Sequence, residues 1–165
     1  MSEIENAVVN LVLEYIEQST LWENAMFFSK FEGNPDNVEP KPYKDMPNEL
    51  EQFLAFDPKQ YKGLTQDEIR AQYEDMFQKY TTPKKREYSG KPTRFGNPAK
   101  FQGVTRENII EVTLVNSNRC EVTCQIPIGF KGIKKFIALK KQGQWLLDSV
   151  KSYSKTDDKW SNSLL

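Results

Sequence analysis

The stretch from Lys131 to Tyr153, KGIKKFIALKKQGQWLLDSVKSY, leaves the chain few alternatives to a β-sheet. Two β-rich runs flank the pair Gln142-Gly143, a tryptophan follows just after the turn, and Asp148-Ser149 closes the second run, so the stretch reads as a hairpin. Alternation places Ile133, Ile137 and Leu139 on one face of the first run and Phe136 and Ala138 on the other. Both faces are partly apolar. Such a strand needs cover on both sides, from helices on one face and from a pocket, loop or partner on the other.

The residues before it supply more sheet. Asn108 to Val115 is apolar and β-branched, Asn116-Ser117-Asn118 has turn chemistry, and Cys120, Val122, Cys124 and Ile126 alternate with Glu121, Thr123 and Gln125. Pro127 and Gly129 end this second hairpin. Cys120 and Cys124, the only cysteines, fall on one strand face roughly 13 Å apart, beyond the ~7 Å Cα reach of a disulfide. Reduced, buried thiols are expected.

Helices are signalled ahead of the strands. Ser2 with Glu5 has capping-box spacing, followed by Ile4, Val8, Leu11, Val12, Tyr15 and Ile16 at helical intervals. Thr20 with Glu23 repeats the box ahead of an apolar face from Trp22, Ala25, Met26 and Phe28 to Phe31, and predicts a second helix. Thr65 with Glu68 opens a third, whose apolar stripe is Ile69, Tyr73, Met76, Phe77 and Tyr80 and whose stop is Pro83. Between the second and third, residues 32–63 are broken by Gly33, Pro35, Pro40, Pro42 and Pro47, with a short helix predicted after Pro47 carrying Leu50, Phe53 and Leu54. A connection of this length is either a solvated excursion or a binding surface. Helices followed by a meander of at least four antiparallel strands define an α+β layout, expected as one domain over residues 1–165.

A hydrophobic content of 38% is low, but 12% aromatic residues argue for a folded chain. The net charge of zero conceals a division. Residues 1–80 hold 16 acidic against 7 basic residues, and the remainder holds 7 against 16. Helical and sheet halves could therefore present opposite charge, or simply two solvated faces. Lys84, Lys85, Arg86, Lys91, Arg94 and Lys100 interleave with Tyr88, Phe95 and Phe101, a pattern found in single-strand nucleic-acid binders, but a pI of about 6.4 argues against it. The lysines at 131, 134, 135, 140 and 141 are either a partner patch or solvated strand ends that discourage edge pairing. No apolar run is long enough for a membrane span and no signal segment opens the chain, so a cytoplasmic location without membrane contact is expected.

Histidine is absent, which removes the commonest general base, the Ser-His and Cys-His nucleophile pairs and most zinc sites. No glycine-rich phosphate loop, HExxH or CxxC motif occurs. Catalysis would fall to carboxylates, tyrosine or lysine. Asp148 with Tyr73 or Tyr80 is the one pair that could move a proton, and a hydrogen-bonding strand-end acid is the simpler role for Asp148. No metal or cofactor is expected.

The element order and the run FIALKKQGQWLLDSV resemble the NTF2-like cone fold, in which N-terminal helices cover a strongly curved antiparallel sheet. The closer likeness is to NTF2-fold immunity proteins of bacterial polymorphic toxin systems. In those the last hairpin has an aromatic or aliphatic strand ending in Lys-Lys, a Gly-x-Trp turn exit and an aliphatic-Asp-Ser close. Here these are Phe136 to Leu139, Lys140-Lys141, Gly143 to Trp145 and Leu147-Asp148-Ser149. The TxxE-capped helix ending in YTTPKKR, the strand beginning at Ile109 and the terminal Asp158-Lys159-Trp160 also look like that family, so the likeness covers Thr65 to the C-terminus.

The resemblance implies a non-enzymatic immunity protein whose partner is a cognate toxin or effector domain. Partner-binding residues in that family vary with the toxin, so the first candidates come from charge and from the long connection: if the toxin is a basic nuclease, the acidic helical half and residues 32–57 face it, with Asp36, Glu39 and Asp45 first. Trp145, Tyr73 and Phe77 are expected to line the cone's pocket. Two other readings are compatible with the same fold, a small-molecule-binding or isomerase-like enzyme using Asp148, Trp145 and Tyr73, and a homodimer built on the open sheet face.

Overall fold

The computed structural model describes residues 1–29, 66–86, 99–129 and 131–165. The short helix expected after Pro47 and the candidate acids Asp36, Glu39 and Asp45 lie outside the described residues.

Helix α1 spans Glu3–Ser29. It opens on the expected box: the Glu5 N–H donates to Ser2 Oγ at 3.2 Å, and the Ser2 N–H donates to the Glu5 carboxylate at 2.7 Å. That backbone donor, with the Ser2 hydroxyl, holds the Glu5 carboxyl below its ordinary range. The separate second helix is not there. Thr20 sits inside α1, because an N-cap residue must leave helical geometry and no glycine or proline between Ser2 and Ser29 makes the chain do so. Propagation past Thr20 costs less than a fresh nucleation. Glu23, read as the partner of that cap, turns inward instead and is almost fully buried against Lys100.

Helix α2 covers Gln66–Tyr80, the helix expected after Thr65. Its end is closed by Thr81, whose N–H and hydroxyl both donate to the Phe77 carbonyl, at 3.0 and 2.6 Å. Trp22 and Met26 of α1 pack with Ile69 and Tyr73 of α2, and the Trp22 indole donates to the Ile69 carbonyl at 3.1 Å. Met76 and Phe77 join this cluster to the larger core.

Five strands complete the chain: β1 Ile109–Asn116, β2 Arg119–Gln125, β3 Ile133–Lys141, β4 Gln144–Ser154 and β5 Lys159–Ser163. They form an antiparallel meander in sequential order. The sequence pattern does not announce the last of them. A two-residue loop joins β3 to β4, with Gln142 at φ 50° and Gly143 at φ 80°, both left-handed as a type I′ turn requires. Residue 143 is glycine for that reason, since nothing crowds a Cβ there.

The register separates the two faces. Cys120, Val122, Cys124, Phe136, Ala138, Leu147 and Val150 point to the helical side and pack with Val8, Val9, Val12, Tyr15 and Ile16 of α1. Phe101 fills the gap between the layers, edge-on to Phe136 at 5.1 Å and tilted against Tyr15 at 6.5 Å. Ile133, Ile137 and Leu139 lie on the opposite face, so the two-faced character of this strand is borne out. Cys120 and Cys124 are free and buried, and burial pushes their thiols up to about 11 and about 12.

One irregularity interrupts the β3–β4 ladder. Ile137 pairs with Ser149 but Ala138 pairs with Leu147, so Asp148 is an extra residue on β4, a β-bulge. The bulge lets Leu147 and Val150, three apart, both point into the core.

Candidate functional site

Asp148 has been re-aimed by its bulge toward the segment that leaves α2. There Thr81 forms a parallel bridge with Leu147, and the Thr82 N–H donates to the Leu147 carbonyl at 2.8 Å. The Thr82 hydroxyl donates to one Asp148 carboxylate oxygen at 2.9 Å and Lys84 Nζ to the other at 2.7 Å. Arg86 donates to the Asp148 carbonyl at 3.0 Å and to the Thr82 carbonyl at 2.8 Å, with its guanidinium over the Phe77 ring at 5.2 Å. Burial works to raise the Asp148 carboxyl, but the bonds from Lys84 and Thr82 and the charges of Lys84 and Arg86 outweigh it and hold the group below its ordinary range. A carboxylate kept ionised by these donors and charges is an anchor; a general acid at neutral pH needs the opposite shift.

The expected pocket residues fall in different places. Tyr73 and Phe77 come together, ring centroids 5.5 Å apart, against Trp22 in the seam between the helices. Trp145, half-buried, faces the helical side of the sheet opposite Lys140 and packs on the larger core. Tyr80 meets Tyr15 edge-on at 6.3 Å. Asp148 takes its hydrogen bonds from Thr82 and Lys84, so no carboxylate–phenol pair forms with Tyr73 or Tyr80. Sequence reasoning missed Thr82, Lys84 and Arg86 as a unit, although TTPKKR directly after a helix end was the visible sign.

Apart from exposed Lys85, the described members of the basic and aromatic segment are likewise engaged inside the molecule. Lys84 and Arg86 hold Asp148, Phe101 is core, and Lys100 pairs with buried Glu23 at 3.6 Å. The five lysines of the β3 region divide. Lys131, Lys140 and Lys141 are exposed, Lys135 pairs with Glu121 at 3.5 Å and lies over the Trp160 ring at 4.5 Å, and Lys134 points to the helical side. Among the described residues no three potential metal ligands come together, and no helix is long and apolar enough to cross a membrane.

The surfaces differ in charge. Outward positions of the helices carry Glu3, Glu14, Glu17, Asp67, Glu68, Glu74 and Asp75. The outer sheet face carries Arg119, Lys135 and Lys151 together with Glu111 and Glu121, beside Tyr153 and Trp160, whose rings lie 5.3 Å apart. Among the described residues the outward helical positions are thus mainly acidic, while the outer sheet face carries both signs.

Helices on one face of a curved five-stranded antiparallel meander, with the opposite face covered by neither of them, define an NTF2-like α+β fold. The sequence pattern of the NTF2 fold immunity proteins matches residues 43–163, and the chain belongs to that family. No curated protein and no solved structure gave a significant match.

Proposed function

We propose that the protein is a cytoplasmic, non-enzymatic immunity protein that binds one cognate toxin domain and neutralises it by covering the toxin's active site or substrate path. Family membership carries this reading. Two features support it. The one acid on the β3–β4 hairpin that could serve chemistry is consumed in holding the sheet to α2, and the helical layer turns an acidic surface outward that would speed encounter with a basic toxin. Asp36, Glu39 and Asp45 extend that acidic character in sequence and are the first residues assigned to partner contact.

Co-expression with the product of the gene immediately upstream tests the reading. Growth should be rescued by the wild-type chain, and the triple reversal Asp36→Lys, Glu39→Lys, Asp45→Lys should weaken the complex measured by calorimetry. Growth arrest despite co-expression would remove the immunity reading; rescue with unchanged affinity in the triple variant would move the contact surface elsewhere.

A further inference from the structure

Past Phe136, the helical side of the sheet turns polar. Cys124 lies opposite Lys134, Lys134 opposite Ser152, and Ser152 opposite Ser161, one row across four strands. Lys134 Nζ donates to Ser152 Oγ at 2.5 Å and to Ser163 Oγ at 3.2 Å. Lys134, Ser152 and Ser163 are all half-buried and Ser161 is exposed, so the row can be reached from solvent.

The chemistry of this row is one-sided. A hydroxyl that accepts from an ammonium aims its own proton elsewhere, and the ammonium keeps a third N–H, so the cluster offers donors and few acceptors. Among the described residues no carboxylate lies within ion-pair distance of Lys134. The charged group that bears on it most is another cation, Lys100. Lys100 is itself engaged by the Glu23 carboxylate and by a main-chain oxygen of Leu165, the last residue of the sequence, at 3.0 Å. Cys124 adds no negative charge, since burial keeps its thiol protonated. Burial, then the charge of Lys100, hold the Lys134 ammonium below the usual lysine range. A partly desolvated ammonium with no counter-ion among the described residues is a cost to the fold, and a convergent set of N–H and O–H donors is the complement of an oxyanion.

We propose that Lys134, with Ser152 and Ser163 and the nearby charge of Lys100, forms a binding site for a small oxyanion, a carboxylate or a phosphate group, on the helical side of the sheet. The site shares no residue with those assigned to toxin contact and does not depend on that assignment. Lys134 and the serines supply direct hydrogen bonds, and Lys100 supplies field.

The test uses the intact protein alone, with inorganic phosphate and sodium acetate as probes at constant ionic strength. Thermal unfolding of the wild type should show a saturable rise with at least one probe, about 3–6 °C at tenfold above Kd for a chain of this size. Lys134→Met should unfold no lower than wild type without the probe, because it removes a part-buried charge that no described carboxylate pairs, and should lose the probe-dependent rise. The double variant Ser152→Ala, Ser163→Ala keeps the charge and should bind the probe about tenfold more weakly, the loss of roughly one net hydrogen bond. A response to acetate alone or to phosphate alone would fix the class of anion. The proposal is overturned if neither probe gives a saturable rise up to ~50 mM, a range that covers weak sites, or if Lys134→Met and the serine double variant respond like wild type.

Discussion

Replacing Asp148 with alanine tests whether the bulge residue is the clasp between sheet and helices. The substitution deletes the acceptor of the Thr82 hydroxyl, a part-buried bond to a charged group, which contributes about 1.5–3 kcal/mol. It also deletes the Lys84 pair, whose lysine is 44% exposed and which adds only about 0.2–1 kcal/mol. The Arg86 bond is made to the main-chain carbonyl of residue 148 and survives. The expected cost is therefore about 2–3 kcal/mol at pH 7, or a fall in Tm of roughly 5–10 °C for a chain of this length. Denaturant unfolding would measure it. A double-mutant cycle with Thr82→Val should return a larger coupling than one with Lys84→Ala, because burial, not formal charge, sets the order.

The pH dependence comes from the same group. Its carboxyl is held below the ordinary range in the folded state, so its contribution is complete above the unfolded value of about 3.9 and is lost as pH falls through the folded one. The gap between wild type and Asp148→Ala should accordingly close under acid conditions. A cost below ~0.5 kcal/mol at pH 7, typical of a neutral surface change, or a larger coupling to Lys84 than to Thr82, would refute the clasp.

Two other outcomes are expected. Trp22→Phe removes the indole bond to the Ile69 carbonyl, which keeps its helical partner, and trims the ring, so the seam between α1 and α2 should weaken by about 0.5–1.5 kcal/mol in denaturant unfolding. Cys120 and Cys124 should resist an alkylating reagent at pH 8 in the native protein and react fully in denaturant, because both are buried and their thiols are held protonated; native labelling at the rate of a free thiol would contradict the packing of the core.

Much of the sheet could be read from local chemistry. Gln142-Gly143 declared its own turn, Asn116 to Asn118 another, and alternation separated Phe136 and Ala138 from Ile133, Ile137 and Leu139. What depended on distant partners could not be read. Thr82 and Lys84 reach Asp148 across more than sixty residues, and no local pattern encodes that approach. The Thr20 box failed for a different reason: the motif marks a helix start only if something upstream has ended the previous helix. The oxyanion site was hidden by a single residue. Counting back from the turn in strict register sets Lys134 opposite Lys151, an unfavourable like-charge pair. The extra residue at Asp148 shifts the partner to Ser152 and sends Lys151 to the outer face opposite Lys135. The spacing of Leu147 and Val150, three apart and both apolar, was the one trace of that shift in the sequence.

The clasp at Asp148 also orders events in time. Each β-hairpin closes through a turn of a few residues, and contacts this local form quickly, whereas the Thr82–Asp148 bond closes a span of 66 residues and carries the larger loop entropy. The meander can thus assemble with its bulge already formed before α2 is captured on the free half of β4, the other half being taken by β5 from Val150 onward. Weakening the clasp should then leave the refolding rate nearly unchanged and raise the unfolding rate, so that the lifetime of the native state, more than its formation, depends on this one carboxylate.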